Sequence, residues 1–385
     1  MDKKFKISVL PQVKLIKEHF RFSIIIALLC IVISVFIIHD LNASSPQPRS
    51  LSYGIALDLA QMKQNQRIKD LHRIKNLGFS EVRFDFDWSV IEPRDNNTYL
   101  WKQYDITMKD VKNAGLRSVV TLDRTPVWAR PLNCRYSIFC APTNSGSFAK
   151  FAAAAVKRYQ GYDVTAWEIW NEPNIVNFWK PAPNPYQYAQ LLKAAYQAIK
   201  QQDPNSIVII GGLSGNADNA GRFYIDPRTF LSQLYSYKAK NYFNGVAYHP
   251  YTSLRLPQNI APYNGWSKMY TTSPSIRSIM VANGDQSKYV WITEFGAPTS
   301  GPGTEVNNPA GQLSAGADHV SFNAQAQIAQ QAIKDTQKIK WIKDLDWYTY
   351  IDSSSTTSTA GDSYGLLQSN GNPKPVYFVF KNTLK

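Results

Sequence analysis

The chain has 385 residues and a formal net charge of +14, with 44% hydrophobic and 18% charged residues. These proportions fit a globular protein that buries a sizeable core. The basic residues are dispersed, no basic run is interleaved with aromatic residues, and no nucleic-acid-binding module is recognisable, so we expect no nucleic-acid partner.

The N-terminal region has the pattern of a membrane anchor. Residues 1–21 carry six Lys or Arg residues, and residues 22–38, FSIIIALLCIVISVFII, contain no charge. This run is at the short end for a membrane-spanning helix. The positive-inside rule predicts that 1–21 is cytoplasmic, that 22–38 is an inner-membrane anchor, and that a linker at 39–51 leads to a periplasmic domain at 52–385. A cleaved signal peptide is the alternative, although the run is longer than a usual signal h-region.

From residue 52 onward, eight short apolar runs recur, and helical patterns separate most of them. Strand–helix alternation predicts an α/β protein with a parallel sheet. Eight repeats predict a single (β/α)8 TIM barrel, with an open doubly wound sheet as the alternative. The predicted strands are 52–58, 81–88, 117–123, 164–173, 206–212, 243–251, 288–296 and 344–352; the predicted helices are 64–76, 100–113, 147–159, 185–202, 322–338 and 375–385.

The predicted loops differ in length at the two ends of this barrel. Helix-to-strand turns are tight, whereas the strand-to-helix loops 124–146, 250–274, 297–321 and 353–374 are long. Barrel enzymes build their active sites from strand-to-helix loops, so the sequence predicts a cleft at the C-terminal ends of the strands.

Two cysteines, Cys134 and Cys140, lie close together in the loop 124–146. In an exported domain they are candidates for a local disulfide. Two free thiols are the alternative, and the spacing alone does not decide between them.

Two glutamates end predicted strands. Glu172 follows AWEIWN at the end of the fourth strand, and Glu294 lies in WITEFG at the end of the seventh. In a barrel both would project into the same mouth. Retaining glycoside hydrolysis needs a carboxylic acid and a carboxylate nucleophile about 5 Å apart. We predict that Glu172 is the acid/base and that Glu294 is the nucleophile.

Through WNEP at 170–173 and WITEFG at 291–296, the chain resembles the clan of retaining (β/α)8 glycoside hydrolases that contains families 5 and 39. It is particularly similar to membrane-anchored or exported endoglycosidases of bacterial exopolysaccharide biosynthesis. The resemblance covers roughly residues 52–380 and places both motifs at the strands where the clan has its catalytic pair.

The resemblance also implies roles for further residues. Asn171 matches the residue that binds the sugar 2-hydroxyl, and Arg83 matches an arginine that keeps the nucleophile ionised. His249 and Tyr251 match groups near the nucleophile, and Trp347 matches the platform for the sugar ring.

Aromatic and acidic residues near the predicted cleft have competing interpretations. Trp88, Trp128 and Trp179 are candidates for stacking on sugars, with packing as the alternative. Glu168 shares the strand face of Glu172, and we interpret it as a buried partner rather than a catalyst.

Other chemistries fit poorly. No ligand spacing suggests zinc, and no Gly-rich phosphate loop follows the first strand, so we expect no metal and no other cofactor. The sequence therefore predicts a membrane-anchored retaining endoglycosidase that acts on a polysaccharide, either an exopolysaccharide or a β-glycan. Exopolysaccharide synthesis or export machinery is the candidate partner. The alternatives are an exo-acting β-xylosidase-like enzyme, a transglycosylase, and a polysaccharide-binding protein without catalysis.

Overall fold

Eight parallel strands close into a barrel in the computed structural model of the chain, which describes residues 51–95, 97–216, 222–261, 263–355 and 358–384. The strand order around the barrel is β1-β10-β7-β6-β5-β4-β3-β2, so the predicted single (β/α)8 barrel is confirmed and the open sheet is excluded. The barrel strands are β1 (Ser52–Ala56), β2 (Glu81–Asp87), β3 (Arg117–Asp123), β4 (Val164–Asn171), β5 (Val208–Ser214), β6 (Gly245–His249), β7 (Tyr289–Phe295) and β10 (Ile342–Tyr348).

A second, two-stranded sheet lies in the loop after β7, where the sequence predicted no strand. It pairs β8 (Thr304–Val306) with β9 (Ala317–Val320) in parallel. Its strands are too short to carry a clear alternating pattern, which is the signal by which strands are predicted.

Several helices begin at residues whose side chains cap them. Asn144, Ser275 and Ser321 each accept a backbone N–H of the first helical turn, and Asn184 does the same ahead of a proline at the first helical position. Such caps satisfy donors that have no partner inside the helix. The helices are α1 (Gln64–Asn76), α2 (Trp88–Ile91), α3 (Lys102–Asn113), α4 (Ser145–Arg158), α5 (Pro185–Gln202), α6 (Pro227–Ser236), α7 (Gly265–Tyr270), α8 (Ile276–Ala282), α9 (Phe322–Lys338) and α10 (Pro375–Thr383).

The hydrophobic core has two unequal layers. The larger layer lies between the barrel and the surrounding helices. The smaller one lies inside the barrel and is formed by Val119, Ala166, Ile209, Ala247 and Trp291. Because side chains alternate between the two faces of a strand, the remaining inward positions of these strands are free to carry polar residues. Thr121, Glu168, His249 and Thr293 occupy such positions.

The loop after β3 is fastened by a disulfide between Cys134 and Cys140, whose Cα atoms lie 5.9 Å apart. Both cysteines are buried. The predicted membrane anchor at 22–38 and the basic segment before it lie outside the described residues. Within the ranges that the structure describes, no helix is long and apolar enough to span a membrane.

Candidate active site

Glu172 and Glu294 reach the mouth of the barrel from β4 and β7. The backbone turns sharply at the end of β4, where Trp170 has φ 74° and Glu172 has φ 39°. These left-handed values cost a non-glycine residue about 1–3 kcal/mol and are typical of functional sites. The N–H of Glu172 donates to the carbonyl of Gly212 on β5 at 3.0 Å, which fixes the turn against the neighbouring strand.

His249, at the end of β6, contacts both glutamates. Its Nδ1 lies 3.0 Å from Oε1 of Glu172 and 3.6 Å from Oε2 of Glu294. The two carboxylate oxygens therefore cannot be farther apart than the sum of these distances. That limit admits the separation of about 5–5.5 Å found in retaining glycosidases and reaches only the lower end of the range of about 6.5–9.5 Å found in inverting ones.

Arg83, on the inward face of β2, joins three acceptors. Its Nη1 donates to Oε1 of Glu294 at 2.7 Å, its Nε to Oε2 of Glu168 at 2.6 Å, and its Nη2 to Oδ1 of Asn171 at 2.8 Å. A guanidinium can do this because its donors form a rigid planar fork. The same side chain thus neutralises Glu294 and orients the amide of Asn171.

The surroundings of Glu294 favour its ionised form. Burial would raise its pKa, but the charges of His249 and Arg83 and the hydrogen bonds from Tyr251 and Arg83 outweigh burial, so the pKa is lowered. The Tyr251 hydroxyl donates to Oε2 of Glu294 at 3.0 Å. An ionised carboxylate held at the end of β7 has the state that a nucleophile requires.

Glu168 is fully buried and lies on β4, nearer the N-terminal end of the strand than Glu172. Its carboxylate accepts from Arg83, from the hydroxyls of Thr121 and Thr293, and from the N–H of Gly212. Two oxygens that each accept two hydrogen bonds satisfy a buried charge fully. Glu168 is therefore a buried partner, and sequence reasoning did not identify the two threonines that hold it.

Thr293 also fixes the imidazole of His249. The Thr293 hydroxyl donates its proton to Glu168, so it accepts from Nε2–H of His249, at 3.1 Å. Nδ1 then faces Glu172. Burial would lower the pKa of His249, but the charge of Glu294 and the hydrogen bond with Glu172 outweigh it, and the pKa is raised.

Gly212 leaves room for this imidazole. A Cβ at position 212 would collide with ring atoms of His249. A glycine is therefore needed where β5 passes His249. Gly212 has no functional group, but it contributes to the site by leaving space for the imidazole.

A cavity of about 510 Å³ opens beside Glu294. Its wall includes Arg83, Asn171 and Glu294, and Glu172 adjoins Asn171 in the chain with 10% of its side chain exposed. The volume falls within the range of about 300–1,000 Å³ that is typical of small-molecule sites. The other residues that line it are Ala56, Leu57, Asp58, Met62, Phe84, Asp85, Arg124, Phe178, Tyr348, Thr349, Tyr350, Ile351 and Ser353.

The structure contradicts the assignment of Trp347 as the sugar platform. On β10 the alternation places Asp344, Asp346 and Tyr348 inside the barrel, so Trp347 points outward. It is fully buried, packs against Phe295 and Phe380, and is in the helix-facing layer of the core. Its neighbour Tyr348 lines the cavity instead. The alternation of side chains along β10 already predicts that Trp347 faces outward, but the assignment was based on residue type instead.

The other tryptophan assignments are also corrected. Trp88 is fully buried beside Phe148 and Phe151, and Trp179 is fully buried between Trp170 and Tyr188. Large aromatic rings bury more area than any other side chain, and here that burial stabilises the shell of the barrel.

Trp128 retains some exposure but does not line the cavity. Its indole N–H donates to the carbonyl of Glu92, and its ring packs edge-on against Trp88. These contacts pack the loop after β3 against the segment after β2 and do not form part of the cavity wall.

The chain matches one protein family over most of its barrel. The model of the family described as Cellulase (glycosyl hydrolase family 5) matches residues 53–325. A β-xylosidase of Geobacillus stearothermophilus is 40% identical over 65 residues, which are 16% of this chain and 13% of that enzyme. The chain therefore spans only a small part of the curated relative that it matches.

Solved structures share the fold. A family 39 glycoside hydrolase from the gut symbiont Bacteroides cellulosilyticus WH2 superposes with a TM-score of 0.66 at 22% identity, covering 88% of this chain and 64% of that one. A family 39 β-xylosidase from Caulobacter crescentus gives 0.59 at 17% identity, covering 88% and 72%. A family 5, subfamily 18 enzyme from Streptomyces cattleya, in complex with Manβ1-4GlcNAc, gives 0.61 at 16% identity, covering 87% and 80%. At these identities the likeness concerns the fold.

Proposed function

The chain belongs to the glycosyl hydrolase family 5 (cellulase) family, and we propose that it cleaves a β-linked polysaccharide by double displacement with Glu172 and Glu294. The observation that carries this proposal is the shared contact of both carboxylates with His249 at the barrel mouth. Two carboxylates this close, with different partners, are able to take the two different roles of a retaining mechanism.

Glu294 is the nucleophile in this proposal. Arg83, Tyr251 and His249 stabilise its charge before the reaction, so it is ready to attack the anomeric carbon. The attack forms a covalent glycosyl-enzyme and breaks the bond to the leaving-group oxygen. Asn171, whose amide oxygen is held by Arg83, presents its N–H₂ group to the sugar hydroxyl next to the reacting carbon.

Glu172 is the acid and then the base. It gives its proton to the departing oxygen, and the resulting carboxylate later takes a proton from the water that hydrolyses the glycosyl-enzyme. His249 contacts Oε1 of Glu172, which leaves Oε2 to carry the transferred proton.

The cavity wall argues for a neutral or amine-bearing sugar rather than a uronate. Asp58 and Asp85 line the cavity, and Arg124 is the cation closest to them, with Nη2 2.5 Å from Asp85. The residues that line the cavity include three carboxylates, Asp58, Asp85 and Glu294, and two cations, Arg83 and Arg124. Both cations are already paired with carboxylates. An anionic sugar would be repelled there although the whole chain is basic.

We propose internal cleavage because the loops after β3, β6, β7 and β10, at the end of the barrel that carries the site, are long. An exo-acting β-xylosidase-like enzyme is the second candidate, and the match to the Geobacillus stearothermophilus β-xylosidase favours it. A transglycosylase would use the same residues and differ only in the acceptor, a sugar instead of water.

We also propose that residues 22–38 tether the barrel to the inner membrane on its periplasmic side, near exopolysaccharide synthesis or export machinery. The uncharged apolar run and the basic residues before it support this. Fractionation of cells that express the full chain or residues 51–385 tests it. We expect only the full chain in washed membranes; equal amounts of both proteins in the soluble fraction would contradict the tether.

The experiment for the proposed function is a panel of neutral, amine-bearing and uronate-containing β-glycans and aryl β-glycosides, with products resolved by size. We expect cleavage of a neutral or amine-bearing substrate by wild type. Glu294→Gln should lower kcat by a factor on the order of 10⁴–10⁶, and Glu172→Gln by about 10²–10⁴ on natural substrates.

Glu305→Gln is the matched control, because Glu305 is exposed in the loop after β7. It should retain wild-type activity. Long internal fragments indicate endo action and single sugars indicate exo action. Full activity in either catalytic variant would contradict the mechanism, and preferred cleavage of a uronate polymer would contradict the role of the acidic wall.

A further inference from the structure

Three carboxylates meet inside the barrel, nearer the N-terminal ends of the strands than the catalytic pair. Glu81 begins β2, and Asp344 and Asp346 lie on the inward face of β10. The strand between them, β1, pairs with both neighbours through Gly54. All three carboxylates are fully buried, and each offers an oxygen that lies within 4.8 Å of those of the other two.

Most of the oxygens in this group have no donor. Among the described residues, both oxygens of Asp344, both oxygens of Asp346 and Oε1 of Glu81 have no hydrogen-bond partner outside the group. Within the group the carboxyls can hydrogen-bond each other only where one of them holds a proton. The remaining oxygen, Oε2 of Glu81, accepts from Thr165 at 2.8 Å and lies 3.5 Å from Arg117. Buried carboxylates without partners are strongly unfavourable, so this group requires a positive charge or protons.

We propose that Glu81, Asp344 and Asp346 bind a divalent cation, Ca²⁺, inside the barrel. One oxygen of each carboxylate lies within 4.8 Å of those of the other two, and five of the six oxygens have no protein donor among the described residues. Carboxylates bind Ca²⁺ through one or both oxygens. Mg²⁺ usually keeps several waters and binds one or two carboxylates, whereas Ca²⁺ accepts more carboxylate oxygens in a flexible geometry. Three fully buried carboxylates in one group therefore favour Ca²⁺.

The charges around the group support a cation. Arg83, the nearest arginine above, is already paired with Glu168 and Glu294. Of the three carboxylates, Arg117 contacts only Glu81, and the side chain of Arg117 is 41% exposed. Asp344 and Asp346 are fully buried beside Glu81, so their ionised forms repel each other without the screening of water. A divalent ion would remove the repulsion that these carboxylates exert on each other.

Gly54 gives the carboxylates their space. A Cβ at this position would collide with Oδ1 of Asp346 and would lie 3.1 Å from Cγ of Glu81. A side chain in the middle of β1 would therefore displace the ligands, which explains a glycine at an inward position of a barrel strand.

The test is the metal content and thermal stability of the purified full-length protein. After desalting from buffer with 1 mM CaCl₂ (about 10³–10⁴ times the Kd of a moderate site), we expect about one Ca²⁺ per chain by mass spectrometry of the elements. The Tm should fall in excess EGTA and recover when Ca²⁺ is restored. Asp344→Asn and Asp346→Asn should lose both the bound Ca²⁺ and the response of the Tm. Asp95→Asn, at an exposed position, should keep both.

Wild-type protein without a bound divalent cation, with a Tm that neither EGTA nor Ca²⁺ changes, would overturn the proposal and indicate that the carboxylates share protons. Bound Mg²⁺ in place of Ca²⁺ would overturn the choice of ion. The wild-type metal content needs no variant, so the test holds even if a substitution prevents folding.

Discussion

Two groups of carboxylates lie within one barrel, and they differ in how many hydrogen-bond donors surround them. The catalytic group, Glu168, Glu172 and Glu294, receives hydrogen bonds from arginine, tyrosine, threonine, histidine and backbone donors. The lower group, Glu81, Asp344 and Asp346, has five oxygens without a donor in the described part of the chain.

The difference shows how buried charge is used in this molecule. In the catalytic group the charges are held by fixed protein dipoles and cations, which do not have to reorganise during the reaction. In the lower group the protein supplies oxygens but few donors, and we assign the missing charge to a cation. The same residue types therefore indicate catalysis in one place and ligand binding in another, according to their partners.

The largest expected effect on the free energy of unfolding comes from replacing Glu168, which accepts four hydrogen bonds in the catalytic group. Glu168→Ala leaves the Nε of Arg83 and the Gly212 N–H buried without their acceptor. Breaking a buried ion pair on one side costs about 3–5 kcal/mol in the free energy of unfolding. Urea unfolding of the purified protein measures the change.

The matched substitution in the lower group sharpens the comparison. In excess EGTA, Asp344→Asn should leave the free energy of unfolding unchanged or raise it, because it removes a carboxyl that repels its neighbours and has no hydrogen-bond partner outside the group in the described residues. Equal destabilisation by Glu168→Ala and by Asp344→Asn in EGTA would remove the distinction between the two groups.

A smaller effect is expected when Arg83 is replaced by lysine. A lysine ammonium cannot reproduce the three directed bonds of Arg83, and a lost charge-assisted hydrogen bond is worth about 1.5–3 kcal/mol. We expect kcat/KM to fall about 10–100-fold. Because Arg83 helps to lower the pKa of Glu294, the acidic limb of the kcat/KM profile should also move to higher pH. A fall in activity with an unmoved acidic limb would show that Arg83 acts on structure alone.

The smallest expected effect concerns His249. Its pKa is raised in the folded protein, so its stabilising contribution is complete below the unfolded pKa of about 6.5 and is lost as pH rises through the folded pKa. His249→Gln should therefore destabilise the protein most at about pH 6, by about 1 kcal/mol, and less at higher pH. Unfolding curves across this range measure it; a difference that grows with pH would contradict the assignment.

Much of the fold could be predicted because each barrel strand is a short apolar run, and helical patterns separate most of these runs. All eight barrel strands were predicted, and β3 has the predicted bounds, 117–123. The helices α2, α6, α7 and α8 were missed, and all of these except α6 are short enough for their periodicity to be weak. The paired strands β8 and β9 depend on contacts within a long loop, which no local pattern encodes.

The site was predictable to the extent that strand ends determine it. Glu172, Glu294 and His249 lie at strand ends and meet at one mouth. The assignment of Trp347 was wrong because residue type was given more weight than strand alternation, which turns Trp347 outward and Tyr348 inward. The lower group could not be predicted from the sequence, because Glu81 and Asp344 come together only when β2 and β10 pack on either side of β1 in the closed barrel.

The most direct test of the central claim is the stereochemistry of the first product. With a β-linked substrate identified by the panel, proton NMR of the anomeric signals follows hydrolysis from its first minutes. Double displacement through Glu294 predicts that the β-anomer forms first and the α-anomer only later, by mutarotation. If the α-anomer forms first, the two carboxylates work by single displacement and the roles assigned here to Glu172 and Glu294 are wrong.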